Sequence, residues 1–263
     1  MDPASSSPPL LERGDPAPFS LADPGGDSPF LIVVDHAGRA IPRALRDLGL
    51  PNGALDLHIA YDLGAAGLAL RLGGTLGAAV IAQVYSRLVI DCNRAPGQAG
   101  SILDVSDGVA IPGNVALTAA GAAARAQAIH APYHRRIGEA LTARAARGLR
   151  TVLLCQHSFT PAMSGVARPW HVGVLHLGDS AISAAMLALL RAEGDLVVGD
   201  NEPYAMDGTD FTAPFHARAH GCEMLELEVR QDLIAEPAGQ EAMAARLAPL
   251  LEKALALSVS GPR

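Results

Sequence analysis

Several signatures that would place this chain quickly are missing. Lysine is rare, so arginine carries most of the positive charge, and the formal net charge is −7. A nucleic-acid binder would show a basic face, so no nucleic-acid partner is expected. No apolar run is long enough to span a bilayer, and the N-terminus has acids and prolines instead of a basic patch and an apolar stretch. The expectation is a cytoplasmic protein with no membrane partner. Cys92, Cys155 and Cys222 are odd in number, far apart and each beside apolar sequence. They read as small buried residues in a reduced compartment. No C-x-x-C pair suggests structural zinc. Gly-x-Ser-x-Gly, Gly-x-Gly-x-x-Gly and P-loop patterns are absent, which disfavours serine-hydrolase and nucleotide chemistry. H-x-x-H and H-E-x-x-H are absent as well, so a metal site would have to be assembled from distant segments.

The 263 residues are 49% hydrophobic, enough for a sizeable core. Residues 1–28, rich in Pro, Ser, Gly and Asp, read as a flexible N-terminal segment, and 29–263 as a single domain. Strands are predicted from Phe30, over Gly77 to Val84 and Arg87 to Ile90 (two strands or one bent one), Thr151 to Gln156, His171 to Leu177, Leu196 to Gly199, and Glu223 to Val229. Helices are predicted over Asp62 to Gly73, from a Thr118 cap to about Arg147 with a break at Pro132, over Ser180 to Glu193 capped near Asp179, and over Gly239 to Leu257. Gly97 to Gly113 and Asn201 to Ala219 read as loops. Alternating strands and helices imply a three-layer α/β/α fold with a central mixed, largely parallel sheet.

Polar residues gather where apolar segments end, and in such sheets ligands bind beyond the strand ends. Asp35-His36-Ala37-Gly38 follows Leu31 to Val34, and Gln156-His157-Ser158-Phe159 follows Thr151 to Cys155. Neutral imidazoles are good zinc ligands, and a catalytic zinc usually takes three protein ligands. Asp62, just after the first loop, is the candidate third; hydrogen-bonded loop histidines are the alternative. In Asp91-Cys92-Asn93-Arg94, the guanidinium fork suits a carboxylate and Asn holds an amide or carbonyl oxygen. Arg87 reads either as a second guanidinium for the site or as a structural ion pair. Glu226 and Glu228 share a face of the last strand. Glu226 reads as the ion-pair partner of Arg230, and Glu228 as a general base beside a metal-activated water. His134 and Arg168 are candidate substrate contacts. A cysteine hydrolase built on Cys92 or Cys155 is an alternative, as is a non-catalytic binder of a carboxylated metabolite. Apolar helical faces would serve a homo-oligomer as well as a core.

The ordered motifs resemble the N-formylglutamate amidohydrolase family. They are Asp35-His36-Ala37-Gly38 with Ile41-Pro42, Tyr61-Asp62-Leu63-Gly64, Ser86 to Arg94, Pro132-Tyr133-His134, Gln156 to Phe159, Arg168 to Gly173, Asn201-Glu202-Pro203-Tyr204 and Glu228 to Leu233. Ala37 departs from the Ser often found there. The resemblance implies hydrolysis of the amide of an N-acyl acidic amino acid such as N-formylglutamate, a step of histidine catabolism, or of another N-acyl amino acid. It also implies kinship with zinc exopeptidases and aspartoacylases, hence a phosphorylase/hydrolase-like fold and a divalent metal, zinc. In those relatives a His, an acid and a second His hold the metal, an Asn-Arg pair takes the substrate carboxylate, and a late Glu is the base. His36, His157, Asn93, Arg94 and Glu228 fall into these roles. The relatives' acid lies three residues after the first His, where this chain has Arg39, so Asp62 substitutes.

Overall fold

A computed structural model describes residues 9–178 and 180–260. Strand β1 (Phe19–Ala22) precedes β2 (Phe30–Val34), helix α1 (Ala65–Leu76) and β3 (Ala79–Gln83). A short hairpin, β4 (Val105–Ser106) and β5 (Val109–Ala110), leads to α2 (Ala119–Arg125) and α3 (Ala131–Ala146). Next come β6 (Val152–Phe159), a second small hairpin of β7 (Ala162–Met163) and β8 (Val166–Ala167), β9 (Val172–Leu175) and α4 (Ala181–Ala192). The chain closes with β10 (Val198–Asp200), α5 (Thr212–His220), β11 (Glu223–Arg230) and α6 (Pro237–Ser260).

The seven-stranded sheet has the order β1-β3-β2-β6-β11-β9-β10. Strands β3, β2, β6 and β11 are mutually parallel, whereas β1 against β3 and β9 against β11 are antiparallel. The sheet is therefore mixed and largely parallel. Continuous apolar runs such as Phe30 to Val34 and Val152 to Cys155 are buried on both faces, as parallel strands require. On one face Leu68, Leu72, Met186, Leu190, Leu247 and Leu251 of α1, α4 and α6 pack against Ile32, Leu154 and Leu227. On the other, Ile129, Tyr133, Ile137 and Leu141 pack with Tyr85 and Ile90 against Leu31, Val33 and Leu153. Each fully buried leucine is worth about 2–5 kcal/mol against alanine. Among the described residues no helix is long and apolar enough to cross a membrane.

Four departures from the sequence reading have physical causes. β1 lies inside the stretch expected to be loose; Phe19 to Ala22 finds a free edge on β3 and pairs there, while residues 1–8 lie outside the described residues. Arg87 to Ile90 is not a strand but a tight turn, closed by a Val89 N–H to Ser86 carbonyl bond and by the Ser86 hydroxyl. Asn201 to Ala219 is not all loop: Thr212–His220 is helical, its start held by the Asn93 side chain. The break at Pro132 takes the form of a wide π turn over Ala126–His130, after which α3 restarts with the proline in its first turn, where no N–H is needed. Thr118 caps α2 as expected, and Ser180 caps α4; Asp179 lies outside the described residues.

Candidate metal and substrate site

The parallel strands end on one rim, and three of them deliver the site. His36 follows β2 on a loop whose Gly38 runs against the Val84 backbone, leaving no room for a Cβ. The His36 carbonyl accepts the Asp62 N–H at 2.9 Å, and Ser86 N–H and hydroxyl bond the Ala40 and Ala60 carbonyls. These links stitch the loops carrying His36, Asp62 and Arg87 into one wall. Gly64, at φ +80°, turns the chain into α1 directly after Asp62. His157 lies within β6 rather than beyond it, because pairing with β11 continues to Phe159. That register sets Glu228 beside His157 and Glu226 beside Cys155.

His36, Asp62 and His157 are buried, and one donor atom from each lies within 4.8 Å of the others. His157 Nδ1 is 2.9 Å and His36 Nδ1 3.4 Å from Asp62 Oδ2. The far ring nitrogens meet two other carboxylates: His36 Nε2 is 2.7 Å from Asp91 Oδ1, and His157 Nε2 is 3.4 Å from Asp35 Oδ2. Sequence reasoning gave Asp35 and Asp91 no role, although each flanks a motif residue it had chosen. The Asp35 carboxylate also accepts the Thr212 hydroxyl at 2.8 Å. Burial pushes the Asp35 carboxyl up, but the hydrogen bond and charge of His157 outweigh it and bring it down to about 2. Asp91 is likewise raised by burial and pulled well below the carboxylate range by Arg87 and His36. His157 is lowered by burial yet lifted well above its usual value by Asp35 and Asp62. The buried aspartates are balanced by Arg87 and by protons on the two imidazoles, and a divalent cation would take the place of those protons. Two imidazoles and a carboxylate, each imidazole oriented from behind by an acid, are the donor set of a catalytic zinc site. His36 Nδ1 has no hydrogen-bond partner, so the residues fit a divalent ion.

Arg87 bonds Asp91 Oδ2 at 2.6 Å and lies 3.6 Å from Asp62 Oδ1. It thus both lines the cavity and forms an internal ion pair. Asn93 and Arg94 also line the cavity, but their polar atoms are engaged. Asn93 Oδ1 accepts the Phe211 and Thr212 N–H groups at 3.0 and 2.9 Å. Its Nδ2 and Arg94 Nη1 both donate to Asp210 Oδ1, at 3.3 and 3.2 Å. Asp210 therefore sits on the two groups assigned to a substrate carboxylate. Arg168 stands at the rim, stacked 4.8 Å over Tyr204 and bonded to its hydroxyl. His134 does not line the cavity: Nε2 donates to the Cys92 carbonyl and Nδ1 pairs with His216 Nε2. It tethers the Asn93-Arg94 turn to α3 and α5. Arg39 points outward, pairing with exposed Asp56, so it leaves room for Asp62.

Glu228 and Glu226 face the cavity of about 460 Å³. Burial raises Glu228 well above its ordinary value and Glu226 to about 7. The ion pair expected between Glu226 and Arg230 is not made. Arg230 lies at the strand's edge and grips Asp232 at 2.7 Å, while Glu226 is turned inward. Burial pushes the Cys92 and Cys155 thiols well above the usual range, which removes the thiolate that a cysteine nucleophile requires.

Fold and cavity together are those of an α/β/α hydrolase. Residues 28–235 match the N-formylglutamate amidohydrolase family. The crystal structure of gene product Atu2144 from Agrobacterium tumefaciens superposes with a TM-score of 0.91 at 36% identity, covering 96% of this chain and all of that one. N-formylglutamate amidohydrolase from Ralstonia eutropha JMP134 matches with a TM-score of 0.66 at 21% identity, covering 93% of this chain and all of that one. No curated protein matches significantly. The chain belongs to the N-formylglutamate amidohydrolase family and is an amidohydrolase.

Proposed function

We propose that the protein is a divalent-metal-dependent hydrolase of the amide bond in an N-acyl amino acid, the reaction class whose family namesake acts on N-formylglutamate. The convergence of His36, Asp62 and His157 beneath Glu228 carries this reading. His36 Nδ1, the Asp62 carboxylate and His157 Nδ1 would hold the ion, with zinc the best match to the donor set. When bound it supplies Lewis acidity toward the acyl carbonyl and toward water.

The remaining steps belong to the chain. Glu228 accepts a proton from the attacking water as the water oxygen bonds the acyl carbon. It returns that proton to the departing nitrogen, so the C–N bond breaks to give a carboxylic acid and an amine. The apolar surroundings that raise Glu228 equip it to hold the proton between these events. Arg87 places positive charge against the developing oxyanion. Asn93 Nδ2 and Arg94 Nη1 take the substrate α-carboxylate in the position of Asp210, and Arg168 guards the rim through Tyr204. His134 supports the turn that presents Asn93 and Arg94. Three free cysteines, two of them buried, suit a reduced compartment such as the cytoplasm.

The test couples metal content to turnover. Elemental analysis of protein purified without chelator should find one divalent ion per chain, and Glu228→Gln should keep it while losing hydrolysis of N-acyl amino acids. A metal-free active enzyme, or undiminished turnover in Glu228→Gln, overturns the reading.

A further inference from the structure

The cavity is lined by seven acids and only two arginines. Both arginines are already matched, Arg87 by Asp91 and Asp62 and Arg94 by Asp210. Most of the acids are matched as well. Asp107 faces His58 at 3.3 Å, and Asp207 accepts the Thr209 N–H and hydroxyl. Glu226 differs. It is 2% exposed, it lines the cavity, and its Oε2 has no hydrogen-bond partner among the described residues. A buried acceptor left without a donor is costly, so such a group usually awaits one. Its placement says where that donor comes from. Glu226 lies one strand pleat below Glu228, about 7 Å along β11, and opposite Leu175 of β9. A substrate side chain that passes the base and packs its stem on Leu175 ends at Glu226.

We propose that Glu226 and Leu175 form a subsite for the side chain of the amino-acid half of the substrate. The subsite takes an aliphatic stem of several carbons ending in N–H donors: an amide, an ammonium or a guanidinium. A second carboxylate is the poorer partner there, because it brings no N–H donor and is repelled whenever Glu226 is ionised. It would meet Glu226 with no unmatched guanidinium on the cavity floor, since Arg168 is engaged by Tyr204, Met163 and the Phe159 ring and does not line the cavity. The inference rests on the N-acyl amino acid reading and narrows it. It predicts that this member of the family prefers a side chain other than the namesake's.

The experiment compares N-formylglutamate with its near-isostere N-formylglutamine and with N-formylarginine, on the metal-loaded enzyme. We expect kcat/KM for the two donor-bearing substrates to exceed that for N-formylglutamate by about tenfold or more, the scale of one good polar contact. Glu226→Gln, with metal content and a native circular dichroism spectrum as controls, should collapse that preference toward unity. A wild-type enzyme that favours N-formylglutamate, with a ranking indifferent to Glu226→Gln, overturns the subsite. Hydrolysis of none of the three would instead overturn N-formyl amino acids as the substrates. The subsite is then judged by binding of the same compounds to the metal-loaded Glu228→Gln protein, with and without Glu226→Gln. A donor preference that disappears with Glu226 supports it, and no preference sinks it.

Discussion

His157 Nδ1 lies 2.9 Å from Asp62 Oδ2 while its Nε2 faces Asp35 at 3.4 Å, so one imidazole spans two carboxylates in a buried setting. His36 repeats the pattern between Asp62 and Asp91. Each ring presents one nitrogen to the centre and has the other held from behind. Replacing a central donor should therefore abolish metal binding, whereas replacing a rear carboxylate should weaken it. His36→Ala, His157→Ala and Asp62→Ala are expected to lose the ion completely on elemental analysis. Full occupancy in any of them would remove that residue from the ligand set.

Asp35→Asn and Asp91→Asn keep the size of the side chain and remove the charge that orients each imidazole. Metal affinity should fall by about 10–100-fold in each, the usual cost of such an outer partner. Because Asp35 also accepts the Thr212 hydroxyl, Asp35→Asn should additionally loosen the start of α5. Titration with a competing chelator measures the affinity, and hydrogen exchange at Phe211 and Thr212 reports the loosening. Wild-type affinity in both variants would show that the rear carboxylates serve only the fold.

Glu228→Gln should leave folding and metal content intact and lower kcat by about 10²–10⁴-fold, the contribution of a positioned proton acceptor. The contrast with the histidine variants is the useful part: they fail through metal loss, this one with the ion in place. Normal kcat in a metal-loaded Glu228→Gln protein would assign the proton transfer elsewhere.

The parts of this site that the sequence reveals are those set by strand ends. Leu31 to Val34 and Thr151 to Cys155 announce buried strands, so the polar residues that follow, beyond β2 and in the last residues of β6, reach a common rim. Period 2 alone puts Glu226 and Glu228 on one face. What the sequence hides depends on contacts between segments far apart in the chain. Leu88, Val89 and Ile90 are as apolar as a strand, but Ser86 bonds fold them into a turn that brings Arg87 against Asp91. Phe211 onward becomes helix because Asn93, over a hundred residues earlier, caps it. The same bond explains why a residue chosen for substrate is largely spent on the fold. Proximity in the strand pairs Glu226 with Arg230. The pair does not form because Arg230, at the end of the strand, has Asp232 two residues away.

Glu226 also makes a stability prediction with a definite sign. Its carboxyl titrates near 7 in the folded protein against an ordinary 4.5. Between those values the folded state holds a proton that the unfolded chain has released, so wild-type stability falls as pH rises through this window. The full effect is about 3 kcal/mol at neutral pH and absent below about pH 4. Glu226→Gln cannot ionise, so with both proteins stripped of metal it should gain on wild type from about pH 4.5 to 7 and hold that gain above. Denaturant unfolding across this range measures it. Parallel pH profiles for the two proteins would mean that Glu226 is not held protonated.

Asp210 supplies the last test, because it occupies Asn93 Nδ2 and Arg94 Nη1 from within the protein. A substrate carboxylate bound there must displace it, and part of the binding free energy is consumed in doing so. Removing the competitor in Asp210→Ala should lower KM several-fold with little change in kcat. Arg94→Ala should raise KM by about 10–100-fold, the value of a charge-assisted hydrogen bond to a carboxylate. The two changes are not independent. In the double variant the benefit of losing Asp210 should vanish, since no guanidinium remains for it to release, and a double-mutant cycle on KM measures that coupling. Additive effects, or a KM unmoved by Asp210→Ala, would place the substrate carboxylate away from the Asn93-Arg94 turn.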